Sequence, residues 1–162
     1  MREAPRPPQG PVRRRAWLAV LGVVVAAAAW QACSVHSERR RTAQMQAAEA
    51  IEAGKALYQG RVALATRLGG HTVALPMAAS RCANCHDAAD KSPSFGPMLD
   101  GASLQAAKPR RGGPASRFDA PGLCGLLRDG RDPANIVVPA AMPRYTLTDA
   151  QCEQLWAYLV SR

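Results

Sequence analysis

Cys82 and Cys85 stand three residues apart in RCANCHDA, residues 81 to 88, and His86 follows directly behind the second thiol. Two thiols and an imidazole set this close can hold a zinc ion, cycle as a redox dithiol, or bind a haem covalently. Structural zinc takes four ligands, usually as two Cys pairs or as a Cys pair with a His pair. Here no second pair stands at that spacing, because Cys124 and Cys152 are isolated from each other. A thioredoxin-like dithiol belongs in a βαβ unit, which this chain does not spell out, and it leaves His86 idle. Covalent haem attachment uses all three residues. Each thiol adds across one haem vinyl group to form a thioether, and the three-residue step puts both sulfurs on one side of a helical turn. The next residue then lies under the iron as its proximal ligand. The motif points to one haem c held by Cys82 and Cys85, with His86 on the iron.

A chain of 162 residues has room for one modest domain with extensions. Aromatic residues make up only 5%, so a core built from the remaining side chains is thin. Thin cores need a staple, which a disulfide, a metal or a cofactor can supply. Five cysteines are an odd number, so at least one, with Cys33 the outlying member, stays free or is otherwise committed. The net charge is +9, but eight of the 21 Lys and Arg lie within residues 1 to 41. From Gly54 onward 13 Lys and Arg face 8 Asp and Glu, a mildly basic balance suited to an acidic partner or anionic lipid. Basic and aromatic residues do not interleave, which argues against a nucleic-acid partner.

The elements that must position the motif follow from the chain around it. Residues 1 to 15 are Pro-rich and basic and read as a disordered tail. Residues 16 to 35, AWLAVLGVVVAAAAWQACSV, carry no formal charge and have Trp17 and Trp30 near the two ends. At helical rise they span about 30 Å, the thickness of a bilayer core. The segment reads as an uncleaved transmembrane signal anchor, ahead of a cleaved signal peptide or a lipoprotein modified at Cys33. Residues 36 to 53 form a helical linker, rich in helix formers and free of Pro. The domain proper spans 54 to 162. Within it, PMAASRCANCHDAA is expected to form a short helix carrying the motif, and 92 to 117 a loop rich in Pro, Gly and Arg. A short amphipathic helix is expected over 120 to 130, stopped by Gly130, and a last helix begins after a Thr148 cap. No strand-like alternation persists, so the fold class is all-α, with long loops wrapped round a central group.

Two further stretches carry a family resemblance. PAAMPRYTLTDAQCEQLWAYL, residues 139 to 159, places Met142 in a Pro-flanked loop just before the last helix, and FGPML spans residues 95 to 99. With the haem motif these resemble the class I cytochrome c family over roughly residues 54 to 162. The resemblance implies a cytochrome c-like helical domain in which Met142 is the second axial ligand. It also implies that the Pro97 carbonyl accepts the His86 Nδ1 proton, an outer contact that orients the ring and raises its basicity. GKALY resembles the family's first helix, where Gly54 and Tyr58 would cross the last helix near Leu155 and Tyr158. One departure stands out: 23 residues, 59 to 81, separate Tyr58 from Cys82, far more than in compact members. They bring His71 and Met77 near the motif; these and Met98 read as surface or packing residues. Cys124 and Cys152 sit on separate helical segments and would bridge in an oxidising compartment, or else serve as small packing residues. The basic run at 108 to 113 reads as a solvated loop, or as a docking edge for an acidic redox partner or for haem propionates.

An iron closed by His and Met has no open position for a substrate, and Met raises its potential relative to two histidines. The expected function is therefore one-electron transfer by a membrane-anchored monohaem c-type cytochrome, not an enzyme, in a periplasmic respiratory chain. It would sit as a single-pass protein of a bacterial inner membrane, with the haem domain facing the periplasm and redox proteins as donor and acceptor. The alternative is a haem c subunit of a periplasmic dehydrogenase complex, or a haem-based redox or gas sensor.

Overall fold

The computed structural model describes the backbone of residues 12 to 87 and 96 to 162, and the side chains of 30 to 87 and 96 to 162. It divides into two units, residues 1 to 45 and 46 to 162. The described part of the first unit belongs to α1 (Val12–Tyr58), one unbroken helix of 47 residues. The sequence is free of Pro there and dense in Ala, which gives the helix high intrinsic propensity. Of the tail expected over 1 to 15, residues 1 to 11 lie outside the described residues, and Val12 to Arg15 are helical.

The transmembrane helix expected over 16 to 35 must be corrected. Among the described residues no helix is long and apolar enough to cross a membrane. The uncharged run does not stand as a helix of its own. It continues into a rod that carries Gln31, Ser34, His36, Ser37, Glu38 and Arg39 to Arg41, most of them exposed, and that is neither apolar nor amphipathic over its length. The side chains of residues 16 to 29 lie outside the described residues. The single-pass inner-membrane location and the membrane contact drawn from that helix fall with it.

In the second unit the end of α1 meets α5 (Asp149–Val160) so closely that a Cβ on Gly54 would fall on the Gln154 carbonyl oxygen and lie 2.8 Å from Tyr158 Cβ. Only a residue without a side chain permits that approach. Tyr58, one turn on, is fully buried and its ring lies 5.3 Å from that of Tyr158. Local chemistry sets the start of α5: Thr148 accepts from the Gln151 N–H, and the Gln151 side chain returns to the Thr148 N–H, a complete capping box. In α4 (Ala120–Asp129) the Asp119 side chain caps the first turn and Pro121 sits where an N–H is not needed. Gly130 then ends α4 with φ 74°, a left-handed conformation that glycine adopts at no steric cost. Leu123, Leu126 and Leu127 of α4 pack with Leu155 and Leu159 of α5 in the core, joined by Leu57, Phe118, Val138 and Leu147.

The loops hold more structure than alternation or periodicity could reveal. Asp100 caps a one-turn helix, α3 (Gly101–Gln105), where Gly101 lies against the Val160 carbonyl at the end of α5. Two short antiparallel ladders also form. β2 (Lys108–Pro109) pairs with β3 (Ala115–Ser116), and β1 (Ala65–Arg67) pairs with β4 (Arg144–Thr146). The first ladder gives the basic run a structural task. Arg110 donates to the carbonyls of Ser103, Ala106 and Ser116, and its guanidinium lies 5.0 Å from the Phe118 ring centroid. Its donors are turned onto the protein itself, where they close the C-terminal end of α3.

Candidate haem-attachment site

The thiol pair and the histidine share one turn of α2 (Ala83–His86), with Cys82 at its N-cap position. The turn is tight because the Cys82 carbonyl accepts from both the Cys85 and the His86 N–H, at 3.2 and 3.0 Å. Asn84 secures its outer face by donating to the Ala78 carbonyl at 2.8 Å. Cys82 and Cys85 are both free thiols. Burial pushes the Cys82 thiol up to about 11, against a weaker opposing contact with Tyr145, so the sulfur is held neutral.

His86 is fixed from its Nδ1 side. That nitrogen lies 2.6 Å from the Pro97 carbonyl oxygen. The geometry assigns the proton to Nδ1 and leaves the Nε2 lone pair free for a metal. Burial lowers the imidazole's pKa, with the Pro97 contact opposing it, so the ring favours the neutral, ligating form. The segment bringing Pro97 also brings Gly96, whose N–H donates to the Cys85 carbonyl at 3.0 Å. A Cβ on Gly96 would lie 2.5 Å from His86 Cε1, so the backbone can lie against the ring only because the residue is glycine. Phe95 of the FGPML stretch lies outside the described residues.

Directly after His86, Asp87 gathers two side chains, a role that was not singled out in the sequence. Its Oδ1 accepts from the Tyr58 hydroxyl at 2.8 Å and from Arg162 at 2.7 Å, which ties the turn to the end of α1 and to the chain's last residue. The Arg162 guanidinium lies 4.9 Å from the Tyr58 ring centroid. An Asp directly behind the histidine of the motif is the only sequence signal that could have pointed here.

Met142 is half-buried against the same core cluster that Cys82 and Ala83 pack on. Its N–H donates to the Pro139 carbonyl at 3.0 Å in the loop that leads to β4. Tyr145, three residues on, is buried and donates to the Ser80 carbonyl at 2.8 Å, with the Cys82 sulfur 3.9 Å from its hydroxyl. Tyr145 thus joins the Met142 loop to the attachment turn, a role the sequence reading missed. Cys124 of α4 and Cys152 of α5 are bonded to each other, with Cα atoms 5.6 Å apart. They staple the two helices to each other, while Cys82 and Cys85 stay unbridged. Among the described residues no group of three or more His, Cys, Asp or Glu side chains converges as a zinc site would require. His71 and Met98 are exposed, and Met77 is 47% exposed.

A family model described as Cytochrome c matches residues 51 to 162. The chain belongs to the cytochrome c family. No curated protein and no solved structure matches it. Membership brings a covalently bound haem c with its iron, an electron-transfer role of the kind typical of the family, and redox proteins as partners. The residues present fit that group. Two unbridged thiols on one turn, a neutral imidazole presenting Nε2, and a glycine that lets backbone close over the ring form a suitable donor set.

Proposed function

We propose that this cytochrome is a monohaem one-electron carrier working in a periplasmic electron-transport chain. In this reading Cys82 and Cys85 carry the thioethers, His86 and Met142 are the axial ligands, and Pro97 orients His86. The observation that carries it is the 2.6 Å contact from His86 Nδ1 to the Pro97 carbonyl, on the turn that also holds both thiols. A histidine so fixed can present one nitrogen to an iron and does not move when the charge there changes. The haem, when bound, supplies an iron that gains and loses one electron.

The protein's own part is to keep the surroundings constant. Asp87, Tyr58 and Arg162 lock the turn to both ends of the domain, and the Cys124–Cys152 bridge holds α4 on α5. A site that is rigid in both redox states loses little energy to rearrangement, which suits transfer over bond-making chemistry. The bridge also favours an oxidising compartment, since cytosolic thiol pools keep such pairs reduced. The single Cys-x-x-Cys-His motif supports one haem per chain.

The test is a redox titration of the purified full chain with visible spectra. One Nernstian one-electron step, one haem per chain resistant to acid-acetone extraction, and no CO binding to the reduced protein are expected. Ready CO binding would turn the reading toward a sensor with an open sixth position.

A further inference from the structure

The loop that carries Met142 has almost nothing of its own to hold it. From Pro139 to Pro143 the sequence is Pro-Ala-Ala-Met-Pro, without one polar side chain, and the Met142 N–H to Pro139 contact is its internal turn. Its anchors come from outside. Arg144 reaches back to the Met142 carbonyl at 2.6 Å and to the Val138 carbonyl at 3.4 Å. The Gly69 N–H reaches the Ala140 carbonyl at 3.4 Å. On the far side of Met142, β4 is paired residue for residue with β1, Thr66 opposite Tyr145 and Arg67 opposite Arg144. Every one of these partners except Arg144 and Tyr145 lies in the 23-residue stretch between Tyr58 and Cys82.

That stretch is itself firmly folded. The Leu75 N–H donates to the Thr66 carbonyl at 2.8 Å, and Arg67 bridges to Ala74, so β1 is backed on its second edge. Its end is tied down by the Tyr145 hydroxyl on the Ser80 carbonyl, just before the chain turns into the thiol pair at Arg81 and Cys82. Arg144 sits in a slot that only glycines allow. A Cβ on Gly130 would fall on its Nε, and one on Gly69 would lie 3.2 Å from a terminal nitrogen. Arg144 is 8% exposed and, among the described residues, meets no carboxylate. Packed against Gly69 and Gly130, this buried cation donates to the Met142 and Val138 carbonyls and so helps to hold the loop.

We infer that residues 61 to 80 form a brace which, through the positioning residues Arg144 and Tyr145, holds the Met142 loop against the attachment turn and keeps the sixth iron position closed to outside ligands. The inference rests on Met142 as the axial ligand. Once Cys82 is a thioether it has no proton to donate to Tyr145, and the Tyr145 hydroxyl still donates its own proton to the Ser80 carbonyl. Opening the loop must break that buried bond together with the Arg144 contacts.

Stopped-flow binding of imidazole to the oxidised, haem-loaded full chain reads the opening directly. Tyr145→Phe and Arg144→Lys should each bind imidazole about tenfold faster than the unchanged protein, the factor that one lost buried hydrogen bond corresponds to. Covalent haem content should not change. Thr148→Ala is the control for a merely structural effect, because it removes the α5 cap and costs stability without touching the brace. It should lower the melting temperature and leave imidazole binding unmoved. The brace is overturned if Tyr145→Phe and Arg144→Lys bind at the unchanged rate, or if Thr148→Ala opens the iron as far as they do. Met142→Ala separates the two levels. Fast binding there with unchanged rates in the other two sinks the brace alone, whereas unchanged binding in Met142→Ala removes Met142 as ligand and the brace with it.

Discussion

The attachment turn and the Met142 loop hold the two faces proposed for one haem, and they are supported in opposite ways. Cys82, Cys85 and His86 are fixed within five residues, and Pro97, which orients the histidine, is only 11 residues further on. The Met142 loop is held by β1 and Ser80, and Ser80 and Tyr145 are 65 positions apart in the sequence. A turn built from neighbours forms with little loop-closure entropy and tolerates change elsewhere; a loop held at long range inherits the stability of everything between. The first is suited to permanent attachment, the second to a contact whose strength can be set independently.

The largest expected effect breaks the first half of this comparison. Cys82→Ser with Cys85→Ser, or His86→Ala, should abolish covalent haem and leave the second unit poorly folded, since the remaining core is thin. Haem extraction and far-UV circular dichroism check it, and native helical content without haem would overturn it. Next comes Met142→Ala, which should retain the covalent haem, lower the reduction potential and admit CO, as measured by redox titration and CO difference spectra. An unchanged potential would show that the loop's closeness to the attachment turn serves packing only.

Smaller changes sharpen the comparison. Replacing Cys124 and Cys152 by Ser removes a cross-link between residues 28 apart and should cost about 3–4 kcal/mol in a denaturant titration. Gly54→Ala gains helix propensity but drives a Cβ onto the Gln154 carbonyl, a backbone atom that cannot swing away. The clash dominates, at about 1–3 kcal/mol, read from the thermal midpoint. The smallest effect is a pH slope. Burial raises the Tyr58 and Tyr145 phenols above the ordinary value of 10.0, so the unfolded chain releases those protons first. Their contribution to stability is complete below about pH 10 and is lost as pH rises through and beyond it. Tyr58→Phe and Tyr145→Phe should each flatten the alkaline fall in stability, and only Tyr145→Phe should also alter ligand access.

How much could be read in advance depended on distance along the chain. The end of α4 and the start of α5 were legible because Gly130 and Thr148 act on their own turns. The one-turn α3 was missed, although Asp100 signals its cap, and the two- and three-residue strands were missed because they are too short to show a period. The span over 16 to 35 misled for a related reason: lack of charge within a window says nothing of the helix that continues through it.

By itself the sequence pointed to the proposed attachment chemistry, since a thioether-bound haem needs two thiols and an imidazole on one turn and such a turn is written in five consecutive residues. It pointed equally to a non-protein centre, because a chain with only 5% aromatic residues is expected to have a thin core. Only the tertiary structure decided what Arg110, Asp87, Arg144 and Tyr145 do. Each is a polar side chain whose partners are carbonyls, hydroxyls, rings or a guanidinium brought near by folding. An arginine in a loop reads as solvated until the fold shows three carbonyls around it. A tyrosine in a strand of three residues reads as packing until Ser80 is found at its hydroxyl. Covalent chemistry is specified by residue type and spacing, whereas a buried hydrogen bond is specified by which acceptor the fold leaves without another partner.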